Sequence, residues 1–174
     1  MIGAATAYLT LGVPPQRAAA LPPGSGTAEN FYATCIRCGL CAQVCDQKAI
    51  EFDFRGYPEI SGQQGWCDFS GECAGVCPSG ALTPFDPDLE VISTAVINTE
   101  RCIAWNIRGG CQLCYQRCQT LQNAITIDAD RQPHVDADLC NGCGACVYDC
   151  PQPAITGWSR HWGKAVALQT GNAA

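Results

Sequence analysis

The sequence predicts an α+β protein built from two tandem copies of one unit, and three observations carry that expectation. Fifteen cysteines fall into four groups along 174 residues. The groups recur at one offset: Cys35 and Cys67, Cys41 and Cys73, and Cys45 and Cys77 are each 32 residues apart, as are Cys111 and Cys143, Cys114 and Cys146, and Cys118 and Cys150. Each group is followed by a similar phrase, Ala49-Ile50-Glu51, Ala81-Leu82-Thr83, Ala124-Ile125-Thr126 and Ala154-Ile155-Thr156. Self-similarity at a fixed period marks a repeated supersecondary unit.

The first group is Cys35, Cys38, Cys41 and Cys45, and the second is Cys67, Cys73 and Cys77 with Ser70 in the second place. The third is Cys102, Cys111, Cys114 and Cys118, and the fourth is Cys140, Cys143, Cys146 and Cys150. The run C-x2-C-x2-C-x3-C, closed by proline at Pro78 and Pro151, is the ligand run of bacterial iron–sulfur proteins. A disulfide scaffold is the first competing reading. An odd number of thiols and one repeated short spacing both argue against it. Zinc is the second, but zinc sites use pairs parted by a longer loop, not triplets followed by C-x3-C-P. Thiols two residues apart are expected on one tight turn, converging on a common point.

The unit resembles the two-cluster bacterial ferredoxin fold. That resemblance implies a strand entering each cysteine turn, a short helix after the last cysteine and a second strand closing the motif. In chain order the leading strands are expected at Phe31-Tyr32-Ala33, Val91 to Asn98 and His134-Val135, and the trailing strands from Ile50, Leu82, Ile125 and Ile155. Gly39, Gly71, Gly142 and Gly144 sit inside the turns, where amides must approach a cluster and a β-carbon would obstruct them. In the third motif the 32-residue register points to Arg108, yet the first cysteine is Cys102, displaced by the loop Ile103 to Gly110. The expected division is an N-terminal arm or signal-peptide remnant over 1–30, a first unit over 31–86, a second over 87–157 and a tail over 158–174.

Under a ferredoxin-type cross-over, cluster one takes Cys35, Cys38, Cys41 and Cys77, and cluster two takes Cys67, Cys73 and Cys45 with Ser70 beside them. Cluster three takes Cys102, Cys111, Cys114 and Cys150, and cluster four takes Cys140, Cys143, Cys146 and Cys118. The alternative is that each motif closes its own cluster. Three thiolates on a four-iron cube leave one iron without sulfur. The expected cofactors are therefore three [4Fe-4S] clusters plus one [3Fe-4S] or non-cysteine-ligated [4Fe-4S] cluster, with Ser70 a possible ligand. A hydroxyl needs the metal to deprotonate it.

Net charge is −6, which disfavours nucleic acid and suits docking on a basic face of a redox partner. The stretch Ile2 to Val13 is too short to span a bilayer. It lacks a charged start, yet Arg17-Ala18-Ala19-Ala20 is like the end of an export signal. The expected location is the cytoplasm. The alternative is the periplasm by twin-arginine export, with the signal start missing from this chain. No glycine-rich nucleotide loop is present. His134 and His161 form no ligand-like pair and are expected at the surface or in packing. Trp66, Trp105, Trp158 and Trp162 are expected to shield clusters, the last two also forming a docking tail with Arg160 and Lys164.

The chain further resembles the NapF-type and NapG-type polyferredoxins linked to periplasmic nitrate reductase. Asn30 to Cys38, Gly56-Tyr57-Pro58, Cys77 to Leu82, the long loop from Cys102 to Cys111, and Leu139 to Cys146 carry the likeness. It implies electron transfer to, or assembly of, a molybdenum-dependent reductase. It also implies a redox protein partner, either a reductase catalytic subunit or a membrane quinol-oxidising protein. NapF-type members are cytoplasmic accessory proteins and NapG-type members are exported; a related system such as amine oxidation stays open. Ser70 departs from both patterns. The protein is expected to be an electron-transfer or accessory protein and not an enzyme.

Overall fold

A computed structural model describes residues 19–108, 110–151 and 164–169. The first ordered element is helix α1 (Ala28–Thr34), where a leading strand over Phe31-Tyr32-Ala33 was expected. The side chain of Thr27 caps it by accepting the N–H of Asn30, and Glu29 lies in its first turn, where a negative charge suits the helix dipole. Phe31 alone faces the interior, whereas a strand would bury every second residue. Phe31 meets Tyr32 edge-on and Tyr57 at a tilt, with ring centroids at 5.6 and 6.4 Å. Truncation of Phe31 to alanine is expected to cost about 3–5 kcal/mol in denaturant unfolding of the cluster-loaded protein.

Four helices of one or two turns follow the cysteine turns: α2 (Leu40–Gln43), α3 (Glu72–Gly75), α5 (Leu113–Gln119) and α6 (Ala145–Tyr148). Each holds the third cysteine of its motif and lies before or over the fourth, not after it as expected. The C-x3-C spacing explains this, because four residues make about one helical turn between the third cysteine and the fourth. Helix α4 (Ile103–Asn106) fills the loop peculiar to the third motif.

Strands β1 (Ile50–Phe52) and β2 (Pro58–Ile60) pair antiparallel, with Ile50 opposite Ile60. Strands β4 (Ile125–Ile127) and β5 (Pro133–Val135) repeat the arrangement, with Ile125 opposite Val135. Both hairpins turn on an aspartate: Asp53 accepts the N–H groups of Arg55 and Tyr57, each at 2.8 Å, and Asp128 those of Asp130 and Gln132, at 3.0 and 2.8 Å. Strand β3 (Thr94–Ile97) occupies the middle of the expected Val91 to Asn98 segment. It pairs with β6 (Val166–Gln169), Ile97 lying opposite Val166. Residues assigned to a tail beyond 157 thus hydrogen-bond with the start of the second unit.

The first half closes differently. No strand begins at Leu82; its side chain is buried, and the next residue, Thr83, donates its N–H to the carbonyl of Gly24 at 2.9 Å. Ala20 exchanges two backbone hydrogen bonds with Ile60, at 2.8 and 2.7 Å. Part of the expected N-terminal arm therefore does the work of a strand. The trailing strand expected from Ile155 lies outside the described residues. Short helices and antiparallel strand pairs are in keeping with an α+β reading. One cluster of buried side chains runs from Phe31 and Ile60 to Val147 and Leu168, and most of its members are alanine or cysteine.

Candidate metal centres

The cysteine turns share a backbone. In the first motif Arg37 and Gly39 are left-handed on either side of Cys38 (φ 57° and 78°), and in the second Phe69 and Gly71 flank Ser70 in the same way (59° and 79°). Gly142 and Gly144 do so around Cys143 (78° and 81°). Such turns aim successive amides into one concavity, which suits an anionic group. Arg37 and Phe69 hold this conformation at a cost of about 1–2 kcal/mol each. The second motif therefore keeps the turn although an oxygen replaces its sulfur. The third motif does not: Gln112, at the position of Gly144, has φ −140°, and Cys102 arrives from the N-cap of α4. Gly110 is pressed between turns, since a β-carbon there would lie 3.0 Å from the carbonyl oxygen of Ile107.

Cys35, Cys38 and Cys41 line one cavity, and Cys77 of the second motif completes it. Cys140, Cys143 and Cys146 line another, completed by Cys118 of the third. Cys67 has Cys73 and Cys45 as like-charged neighbours, and Cys114 has Cys102, Cys111 and Cys150. In every set a cysteine of the companion motif joins. One helical turn produces this: the third cysteine serves its own cavity and the fourth, one turn on, reaches the next.

All fifteen thiols are free. Among the described residues no three histidine, cysteine or acidic groups stand close enough to hold a single metal ion. Three or four thiols about one cavity are the donor set that an iron–sulfur cluster takes. The residues fit such a group.

Backbone amides address the sulfurs. Ala49 donates to Cys45 Sγ at 3.3 Å, Leu82 to Cys77 Sγ at 3.4 Å, Ala124 to Cys118 Sγ at 3.2 Å and Ala95 to Cys140 Sγ at 3.4 Å. The alanine phrase after the first three motifs has a place here, for Ala49, Ala81 and Ala124 are buried and Ala49 and Ala124 donate to the fourth cysteine. Each follows a left-handed residue, Lys48, Gly80 or Asn123. Hydrogen bonds to sulfur are one of the levers on cluster potential.

Burial pushes the thiols of Cys41 and Cys143 up to about 11 and those of Cys67 and Cys114 up to about 12. Cys146 is likewise raised well above its ordinary value by the same cause. Cys77 is the exception: burial opposes its thiolate, but hydrogen bonds from Leu82 and Ser79 outweigh that and lower its pKa. Raised thiols carry protons at neutral pH, and a ligand must give its proton up. Cluster loading should therefore release protons, proceed further as pH rises from about 7 to 9, and reverse on acidification. Anaerobic reconstitution followed by visible absorbance in lightly buffered medium checks both the trend and the proton release.

Ser70 is exposed, and its N–H donates to the carboxylate of Asp68 at 3.1 Å. His134 is exposed, pairing with Asp128 at 2.9 Å and meeting Trp105 edge-on. Trp105 packs against the core and donates to the carbonyl of Pro133. Trp66 lies 5.8 Å below the guanidinium of Arg117. Trp158, Trp162, Arg160 and His161 lie outside the described residues. No helix of the described residues is long and apolar enough to cross a membrane.

Residues 34–81 and 95–156 each match a 4Fe-4S dicluster domain family. The chain is thus two tandem 4Fe-4S dicluster domains, an iron–sulfur protein. It is 30% identical to the ferredoxin-type protein NapF of Escherichia coli strain K12, over 78% of this chain and 82% of that one. To the ferredoxin-type protein NapG of the same strain it is 32% identical, over 88% and 78%. To the methylamine utilization ferredoxin-type protein MauM of Methylophilus methylotrophus it is 31% identical, over 86% and 76%. The chain belongs to this family of NapF- and NapG-type ferredoxin-type proteins, which are electron carriers and not enzymes.

Proposed function

We propose that the chain is a polyferredoxin of two bacterial-ferredoxin-like units, passing single electrons through up to four clusters to or from a respiratory, molybdenum-dependent enzyme of the nitrate-reductase kind. The observation that carries this is the crossed gathering of thiols: Cys35, Cys38 and Cys41 with Cys77, and Cys140, Cys143 and Cys146 with Cys118, each about one cavity. On this reading all fifteen cysteines are ligands, holding three [4Fe-4S] clusters and, at Cys45, Cys67 and Cys73, a [3Fe-4S] cluster. Support for the three-iron centre is that the second motif keeps the cluster turn around Ser70, while a neutral serine hydroxyl is a poor iron ligand. The clusters supply one-electron chemistry over a span of roughly −700 to +450 mV. The protein supplies spacing, burial and N–H donors to sulfur. The partner is a reductase catalytic subunit or a membrane quinol-oxidising protein, and the location is the cytoplasm.

The test begins with iron, acid-labile sulfide and EPR of anaerobically purified protein. About fifteen irons and an oxidised-state three-iron signal are expected; a colourless chain without sulfide overturns the reading. Stopped-flow reoxidation by the reductase then separates a carrier from an assembly factor. A carrier reacts at the rate of turnover, whereas an assembly factor binds the apoenzyme and reacts slowly. Cell fractionation tests the location.

A further inference from the structure

Resting on the cluster reading above, we infer that the four sites form one series, joined where the site of Cys45, Cys67 and Cys73 meets the site of Cys118, Cys140, Cys143 and Cys146. The N–H of Cys67 donates to the carbonyl of Cys143 at 2.7 Å. One hydrogen bond thus links a ligand residue of the first half to a ligand residue of the second. The approach depends on a missing side chain. A β-carbon on Gly62, whose φ is +73°, would stand 2.8 Å from the carbonyl oxygen of Gly144 and 2.8 Å from Val147 Cβ. Gly144 and Val147 flank Cys146 on the turn and helix that present it. Beside this contact Arg117 covers Trp66, the neighbour of Cys67, at 5.8 Å. Asp149 holds Arg117 at 2.5 Å.

Within each half, α2 packs on α3 and α5 on α6. Cys73 is accordingly a like-charged neighbour of Cys41, and Cys114 of Cys146. The order is then the cavity of Cys35, Cys38, Cys41 and Cys77, the Ser70 site, the cavity of Cys118, Cys140, Cys143 and Cys146, and last the set Cys102, Cys111, Cys114 and Cys150. Electron transfer slows steeply with distance, so this order is the route. At the junction one cluster loses an electron as its neighbour gains it, with no bond made or broken. The Ser70 site is second in this order, and every electron passing from one half to the other goes through it. Exchange with partners falls to the outer sites, one of which carries the exposed Cys38.

The experiment uses the cluster-loaded full chain. In Ser70→Cys all four centres are cubes that become paramagnetic on reduction, and pulsed EPR of the partly reduced variant reads which neighbours relax the signal its own site gains. Two neighbours are expected, one of them shifted by Cys140→Ser and neither by Cys111→Ser. Gly62→Val should remove the Cys140-sensitive coupling and slow intramolecular equilibration after pulse reduction at least tenfold, at unchanged iron content. If Gly62→Val loses iron, the coupling pattern of Ser70→Cys without it decides alone. A full iron complement with a single neighbour to the Ser70 site overturns this inference and leaves the function standing. Iron and sulfide short of a fourth cluster also overturn it, and only a colourless chain without sulfide overturns the function as well.

Discussion

Replacing Ser70 with cysteine should convert the second centre from three irons to four. The second motif already has the turn of the first, with Phe69 and Gly71 left-handed at 59° and 79° against 57° and 78° for Arg37 and Gly39. A new thiol would therefore enter at the place that Cys38 holds in its own cavity, with no backbone rearrangement. Iron should rise from about fifteen to about sixteen per chain, and the oxidised-state EPR signal should vanish. The added thiolate brings negative charge to the cluster, which disfavours a further electron. The potential of that site should fall, by on the order of a hundred millivolts within the known span. An unchanged oxidised spectrum and an unchanged iron count in Ser70→Cys would show that the second centre is not of the three-iron kind.

Stripping the clusters should abolish the fold. Apart from Phe31, Ile50, Ile60, Phe69, Leu82, three prolines and a few aliphatic residues of the second half, the apolar interior of the described residues is alanine and cysteine. The helices run four to seven residues and the strands three or four, too short to persist by local propensity. Ligand binding is then folding free energy, as in small metal-dependent domains. Iron chelation under mild oxidation should leave a chain without a cooperative thermal transition and with little far-ultraviolet dichroism. Anaerobic iron and sulfide should restore both. An apoprotein that melts sharply would mean that side-chain packing alone holds the molecule.

How much of this was legible depended on whether the determinant was a spacing or a partner. The hairpins could have been read more fully: Asp53 to Ile60 and Asp128 to Val135 share an aspartate turn and a proline-led strand, yet β2 passed unnoticed. The helix over Phe31 was misread because an aromatic residue beside small ones reads as a strand when the cap at Thr27 is overlooked. Leu82 repeats the phrase of Ile50 and Ile125, but the segment at Gly24 takes up the hydrogen bonding that a trailing strand would have supplied. The pairing of β6 with β3 joins residues about seventy apart, and no local pattern announces it.

By itself the sequence determined the chemistry: thiols at C-x2-C-x2-C-x3-C can bind metal only in certain ways, and their 32-residue echo made Ser70 stand out as a substitution. It also determined the local turns, since glycine and the left-handed residue before each second position are short-range matters. Only the tertiary structure decided which thiols share a cavity and that Cys67 touches Cys143. The physical reason is that a ligand set is a property of points in space. One helical turn separates the third cysteine of a motif from the fourth, and only the packing of α2 on α3 and α5 on α6 shows what each faces.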